Sequence, residues 1–348
     1  MLQFVGMLAA IAMTALCWGV YGPVLHFGRE AMHSALRPFM CVGVAYFLIA
    51  VLIPLLLLAR GGERGGWTLG GVLWSLAAGA CGALGALGVI LALSFGGKPI
   101  YVMPLVFGGA PVVNTLLTAT LNKAFDQLKA PFLAGLLLVI AGAVVVLVFK
   151  PQPHAAAPAA VGVDDDADAD VPTVAPPKTI EQKAERFAEI LLATALALLA
   201  WGGYGPVLHR GQAAMGGSRL RPLVCIGAAY FLIAVLVPLA LLVPLGDTGE
   251  WSLRGSLWSL GAGTLGALGA LGTILAFHCG GKPFTVMPVV FGCAPVINTL
   301  TTLALAHTPA RDVSPWFLAG MLIVAIGAAT VLVFGPRGHA PPAKPSAA

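Results

Sequence analysis

Apolar residues in this chain come in long uninterrupted runs, not in a stripe recurring every three or four positions. Residues 67–94 contain no Asp, Glu, Lys or Arg. About 20 such residues, wound as a helix, already cross a hydrocarbon core of ~30 Å. The runs lack the period-two alternation of a lipid-facing barrel strand. In lipid, a helix is then the form that satisfies its own backbone hydrogen bonds. The pattern predicts an all-α membrane protein of about ten transmembrane helices. They are expected near 2–25, 38–59, 67–94, 100–121 and 131–149, then 188–208, 222–243, 251–278, 284–306 and 316–334. Gly96-Gly97-Lys98-Pro99 predicts a tight break between the third and fourth.

The second set repeats the first. WGVYGPVLHFG from Trp18 returns as WGGYGPVLHRG from Trp201, and RPFMCVGVAYFLIAVLIP from Arg37 as RPLVCIGAAYFLIAVLVP from Arg221. WSLAAGACGALGALGVILA from Trp74 returns as WSLGAGTLGALGALGTILA from Trp258. GGKPIYVMPLVFGGAPVVNTL from Gly96 returns as GGKPFTVMPVVFGCAPVINTL from Gly280. Order and spacing are kept throughout, the mark of a duplication. The expected organisation is a first five-helix repeat (1–150), a linker (151–186), a second five-helix repeat (187–336) and a tail (337–348). The linker is Pro/Ala-rich with an acidic cluster, a composition with too little apolar surface to fold. An odd number of spans per repeat predicts that the second copy is inverted in the membrane.

Composition narrows the class. The chain is 59% hydrophobic and 9% charged, against roughly 25% charged for a soluble domain. A net charge of +5 invites a nucleic-acid reading, but the basic residues stand singly at the ends of apolar runs. There they anchor helices to headgroups, so the expected partner is the lipid bilayer and no nucleic acid. Their distribution slightly favours both termini on the cytoplasmic side of a cell inner membrane. The first charge is Arg29, after the first apolar run, which reads as a retained helix and not as a signal peptide. The 6 cysteines show no CxxC spacing and read as small core residues. Gly96-Gly97-Lys98 is not a nucleotide loop, because the Walker positions hold Ala92 and Pro99.

Candidate chemistry concentrates in two helices of each copy. Trp18, Tyr21, Trp201 and Tyr204 sit beside Gly-Pro pairs, where a proline frees a carbonyl; they could form headgroup-level belts or an aromatic wall for a ligand. Asn114 and Asn298 follow two prolines in the fourth helix of each copy. An amide in hydrocarbon needs a partner, either a neighbouring helix or a substrate, and matched interrupted helices point to a midplane site. His278 replaces Ser94 and Thr301 replaces Leu117, so these two break the symmetry between copies. No expected helix carries Asp or Glu in its middle. A site without fixed charge at depth suits a neutral or zwitterionic polar solute. No catalytic set, metal set or cofactor motif emerges.

Ten helices as two five-helix repeats, a Trp-Gly pair late in the first helix of each, a short third-to-fourth connection and a proline-containing fourth helix together resemble the drug/metabolite transporter superfamily of EamA-like carriers. WGVYGPVLHFG and APVVNTL look most like its sugar and ureide permease branches. The resemblance implies a secondary transporter working by alternating access, with no ATP and no prosthetic group. The expected function is therefore movement of a small-molecule substrate, sugar- or ureide-like, by a carrier that is not an enzyme and could form a homodimer. The rival expectations are an intramembrane enzyme using Cys279 or His278, and a non-transporting scaffold that binds lipid or a partner.

Overall fold

The computed structural model describes residues 1–149, 180–305 and 313–336. Ten helices in it are long and apolar enough to cross a membrane. In chain order they are α1 (Leu2–Met32), α2 (Leu36–Ala59), α3 (Leu69–Ser94), α4 (Pro99–Asn122), α5 (Ala130–Val148), α6 (Ile180–Ala214), α7 (Leu220–Leu241), α8 (Leu253–His278), α9 (Pro283–Leu305) and α10 (Pro315–Phe334). The chain is a multi-pass, all-α membrane protein.

Three expectations about helix ends need correction. The expected end of α1 near residue 25 lies inside the helix, which runs on to a left-handed cap at His33. Pro23 sits within it, because one proline removes a single backbone bond and the neighbours hold the rest. The residues from Ile180 to Arg186, expected as linker, open α6. The remainder of the linker and the tail lie outside the described residues. Nor are α4 and α9 interrupted: each contains both of its prolines and continues through them. The break at Gly96 is as expected, with Gly96 at φ 96°, a conformation that favours glycine.

Helices pack mainly across the two copies. α1 lies on α8 and α9, α6 on α3 and α4, α2 on α7 and α8, and α5 on α10. Neither copy encloses a separate core, since its helices find most of their neighbours in the other. Small residues permit the approach. A Cβ at Gly28 would fall on the Ser259 hydroxyl, and one at Gly211 on the Ser75 hydroxyl, so backbones touch at matching places.

The connections form two clusters, one at each end of the bundle. At one end the α1–α2 turn meets the α7–α8 turn. Asp247 accepts from Ser34 (2.5 Å) and pairs with Arg37, Ser252 donates to the Ala31 carbonyl (3.0 Å), and Glu250 N–H to Met32 O (2.9 Å). At the other end the α2–α3 turn meets the α6–α7 turn. Glu63 accepts from Ser218 (2.8 Å) and from the N–H groups of Arg219 (2.6 Å) and Leu220 (2.9 Å), and it pairs with Arg221 at 3.3 Å. Thr68 donates to Ala214 O (3.0 Å), and Gly66 N–H to Met215 O (3.3 Å). Each of the four contacts named at the Asp247 end thus has a counterpart at the Glu63 end.

Glu63 also answers a capping problem, since the first N–H groups of α7 have no partner within the helix. Burial pushes the carboxyl pKa up; hydrogen bonds from Ser218, Leu220 and Arg219 and the charge of Arg221 outweigh it, and the net shift is downward. A depressed carboxylate pKa contributes stability that is fully present above the unfolded value of about 4.3. It is lost as pH falls through the lower folded value. Glu63→Gln should therefore destabilise the protein by about 1–3 kcal/mol near pH 7. In thermal unfolding of detergent-solubilised protein, the gap between wild type and variant should narrow only below about pH 4.5. A gap independent of pH would assign Glu63 a purely steric role.

Candidate functional site

The centre of the bundle is built from aromatic rings contributed by both copies. Tyr46 of α2 and Tyr230 of α7 stack with centroids 3.8 Å apart and planes 2° apart. They are the same residue of the repeat, so the pair lies where the copies face one another. Tyr21 packs against the core cluster that holds Tyr46, Tyr204 and Tyr230. Trp18 meets Tyr204 edge-on at 5.7 Å. Four of the chain's 5 tyrosines thus join the two repeated tryptophans in one region.

The tryptophans are fixed by reciprocal bonds. Trp18 Nε1 donates to Gly266 O on α8 at 3.2 Å, and Trp201 Nε1 to Gly82 O on α3 at 3.1 Å. Those carbonyls lie in the glycine-rich helices, where a Cβ at Gly269 or Gly85 would land on the Trp18 or Trp201 indole. Only glycine leaves room for the ring. Thr14, one turn before Trp18, adds a bond to Gly269 O at 3.2 Å. Ala197 stands at the matching place in α6, so the first interface is tied once more than the second.

Burial separates the copies. Asn114 is 0% exposed and its amide donates to Pro283 O at 2.8 Å, joining the second half of α4 to the start of α9. Its Oδ1 is buried with no partner among the described residues. Asn298, its counterpart, is half-buried and has no such bond to the start of α4 among the described residues. A Cβ at Gly22 would fall about 2.5 Å from the Asn298 amide nitrogen, so α1 lies directly over it. The same inequality runs through neighbouring positions. Tyr204, Gly205 and Val207 of α6 are buried, whereas Tyr21, Gly22 and Val24 of α1 are half-buried. Met287 of α9 is buried, whereas Met103 of α4 is half-buried. Residues nearer the Glu63 end are closed over, and their counterparts nearer the Asp247 end are accessible.

Of the expected site residues, Trp18, Tyr21, Trp201 and Tyr204 are brought together, and Asn114 and Asn298 flank them from α4 and α9. Thr301 stands one turn beyond Asn298, half-buried, with no hydrogen bond among the described residues. His278 is apart from this region. It ends α8, is exposed, and its Nδ1 lies 3.2 Å from Gly217 O in the α6–α7 turn. Tyr46 and Tyr230 were missed, although both stand in the repeated AYFLIAVL octapeptide. A tyrosine held in both copies amid purely apolar neighbours was the available signal. No group of three or more His, Cys, Asp or Glu suited to a metal occurs among the described residues.

The glycine–indole contacts carry a direct consequence. Gly269→Ala should displace Trp18, break its bond to Gly266 O, and lower stability by about 1–3 kcal/mol through overpacking. Gly261→Ala, where a Cβ would find its nearest neighbour 4.0 Å away, should cost less than 0.5 kcal/mol on the order of a surface change. Thermal unfolding of the two variants distinguishes them, and equal costs would refute the steric account.

No protein-family model and no curated relative match the chain. Its fold matches 11 chains of solved structures. One of these, described as "Crystal structure of protein", superposes with a TM-score of 0.61 over 96% of this chain and 98% of that one, at 19% identity. At that identity the likeness shows the fold alone, shared over nearly the full length of both chains.

Proposed function

We propose that the protein is a secondary transporter that carries a small neutral or zwitterionic polar solute by alternating access, its two copies forming inverted repeats. One observation carries this reading: residues equivalent by duplication are buried near the Glu63 end and accessible near the Asp247 end. Two similar halves in unlike environments describe one of two states that exchange roles, which is how repeat-built carriers move a central site between faces. The inverted sense is supported by the connections. The first turn of each copy, α1–α2 or α6–α7, meets the second turn of the other, α7–α8 or α2–α3. In a parallel arrangement, first turns would share an end.

A second asymmetry supports two exchanging states. The octapeptide Ala45–Leu52 is identical in sequence to Ala229–Leu236. The first copy forms a π-helical stretch at Phe47–Leu52, while the second is plain α-helix within Leu220–Leu241. One sequence in two conformations is set by its surroundings, and π-stretches inside α-helices concentrate at functional sites. The aromatic centre and the amides of Asn114 and Asn298 suit a solute with a flat apolar face and polar edges. The likeness of the repeat pattern to EamA-like drug/metabolite carriers agrees, and would place the chain in a cell inner membrane with both termini cytoplasmic.

Flux is the test. Purified protein in liposomes should take up at least one labelled member of a sugar, ureide, nucleobase and amino-acid panel, in a saturable manner. Absence of flux across the panel, with folded protein confirmed, contradicts the reading. In a cysteine-free background, Met103→Cys should react with a water-soluble maleimide at least about tenfold faster than Met287→Cys, as half-buried and enclosed positions require. A saturating transported solute should narrow the ratio by shifting the population toward the other state.

A further inference from the structure

Arg29 stands in the last turn of α1, half-buried, at the accessible end. It lies about two turns beyond Gly22 and on the same helix face, the face that Gly22 lays against Asn298. Among the described residues its guanidinium has no hydrogen-bond or ion-pair partner. Among the described residues, the acids of the turns at this end are engaged elsewhere or face outward. Glu30 pairs with His26 at 3.1 Å on an exposed face, Asp247 is taken by Arg37 and Ser34, and Glu250 is exposed.

The duplicated position makes this informative. Gln212 occupies it in the second copy, is 3% exposed, and donates to Ile274 O at 3.1 Å. The closed end therefore has a buried neutral amide that donates to backbone and whose oxygen has no partner among the described residues, and the open end has a half-buried cation in its place. Five N–H donors in a fixed fork fit the two oxygens of a carboxylate, and such a pair is strongest where water is partly excluded.

We propose that Arg29 is the anchor for an oxyanion group on the transported solute, held at the open end while the body of the solute lies along Tyr21 and Asn298. The substrate class is then an acid or a zwitterion with an apolar or aromatic body, and not a plain sugar. This inference rests on the transporter reading and revises its substrate from a neutral or zwitterionic solute to an anionic or zwitterionic one. A lipid headgroup phosphate offers Arg29 the same chemistry, so the two sources must be separated.

The experiment uses full-length protein in a phosphate-free, uncharged maltoside detergent, titrated calorimetrically with 4-hydroxybenzoate and with 4-hydroxybenzamide. The two probes share shape and differ in charge. Wild type should bind the acid at least about tenfold more tightly than the amide, the discrimination expected for a charge-assisted pair. Arg29→Gln, which installs the residue of the other copy, should abolish the preference without weakening amide binding, and Arg29→Lys should retain part of it. Equal affinities in wild type, no saturable binding of the acid, or an undiminished preference in Arg29→Gln would each overturn the proposal. So would added phosphatidylglycerol that raises the melting temperature of wild type but not of Arg29→Gln, with no preference for the acid; that result assigns Arg29 to lipid. The wild-type ratio is decisive even where a variant fails to fold. Saturable flux of a neutral solute that survives Arg29→Gln would leave the transporter reading standing and remove only this anchor.

Discussion

Two indole rings laid against bare glycine backbone hold the halves of this protein together. Trp18 reaches a carbonyl of α8 and Trp201 a carbonyl of α3, and each passes over a glycine whose side chain would occupy the ring. Lipid tails are as apolar as the helix surfaces, so the hydrophobic effect contributes little to association within the bilayer. Close packing and interhelical hydrogen bonds must supply it. Here both come from the same contact, made twice, and the glycine-rich α3 and α8 exist in that form because α6 and α1 have to lie on them. Because those contacts cross between copies, neither copy folds around a core of its own.

This interleaving shapes what can move. The carboxylates of Glu63 and Asp247 clamp the turns at the two ends, and both clamps are engaged in the same structure. Because both hold at once, the difference in burial between the ends does not come from breaking either of them. The difference between ends lies further in, where Asn114 ties α4 to Pro283 and, among the described residues, Asn298 has no matching tie to the start of α4. A hydrogen bond made on one side and absent on the other is a small free-energy difference, about 1 kcal/mol. That is the scale on which a solute with unequal affinity for two states can reverse their populations.

The sequence made the architecture legible, since runs of uncharged residues leave few options in lipid and a repeat betrays itself by alignment. It also pointed to Trp18, Tyr21, Trp201, Tyr204, Asn114 and Asn298, because a polar or amphipathic residue in hydrocarbon demands a partner. What it could not convey was tertiary environment. Asn114 and Asn298 stand in almost the same local sequence, yet one is enclosed and the other accessible. FLIAVL is π-helical at one copy and α-helical at the other. Tyr46 and Tyr230 were overlooked because a tyrosine in an apolar run resembles any core residue until its stacking partner, in the other copy, is known. His278 stood out as a break in symmetry, but symmetry breaks also occur at helix ends, and that is where it sits. Helix boundaries failed where polar turns lengthen a helix beyond the hydrocarbon, as in α1 past residue 25.

A carrier of the proposed kind requires its two copies to exchange environments. Paired spin labels at Lys98 and Leu305, and separately at Lys282 and Leu121, report on the two ends, since each pair spans the start of one proline-containing helix and the end of its counterpart. Pulsed dipolar spectroscopy in lipid should give two distances for each pair, with the Lys282–Leu121 distribution weighted to the short one and Lys98–Leu305 to the long one. A transported solute should shift the weights in opposite directions. A single distance at each end, unmoved by any solute that the protein carries, would contradict the account.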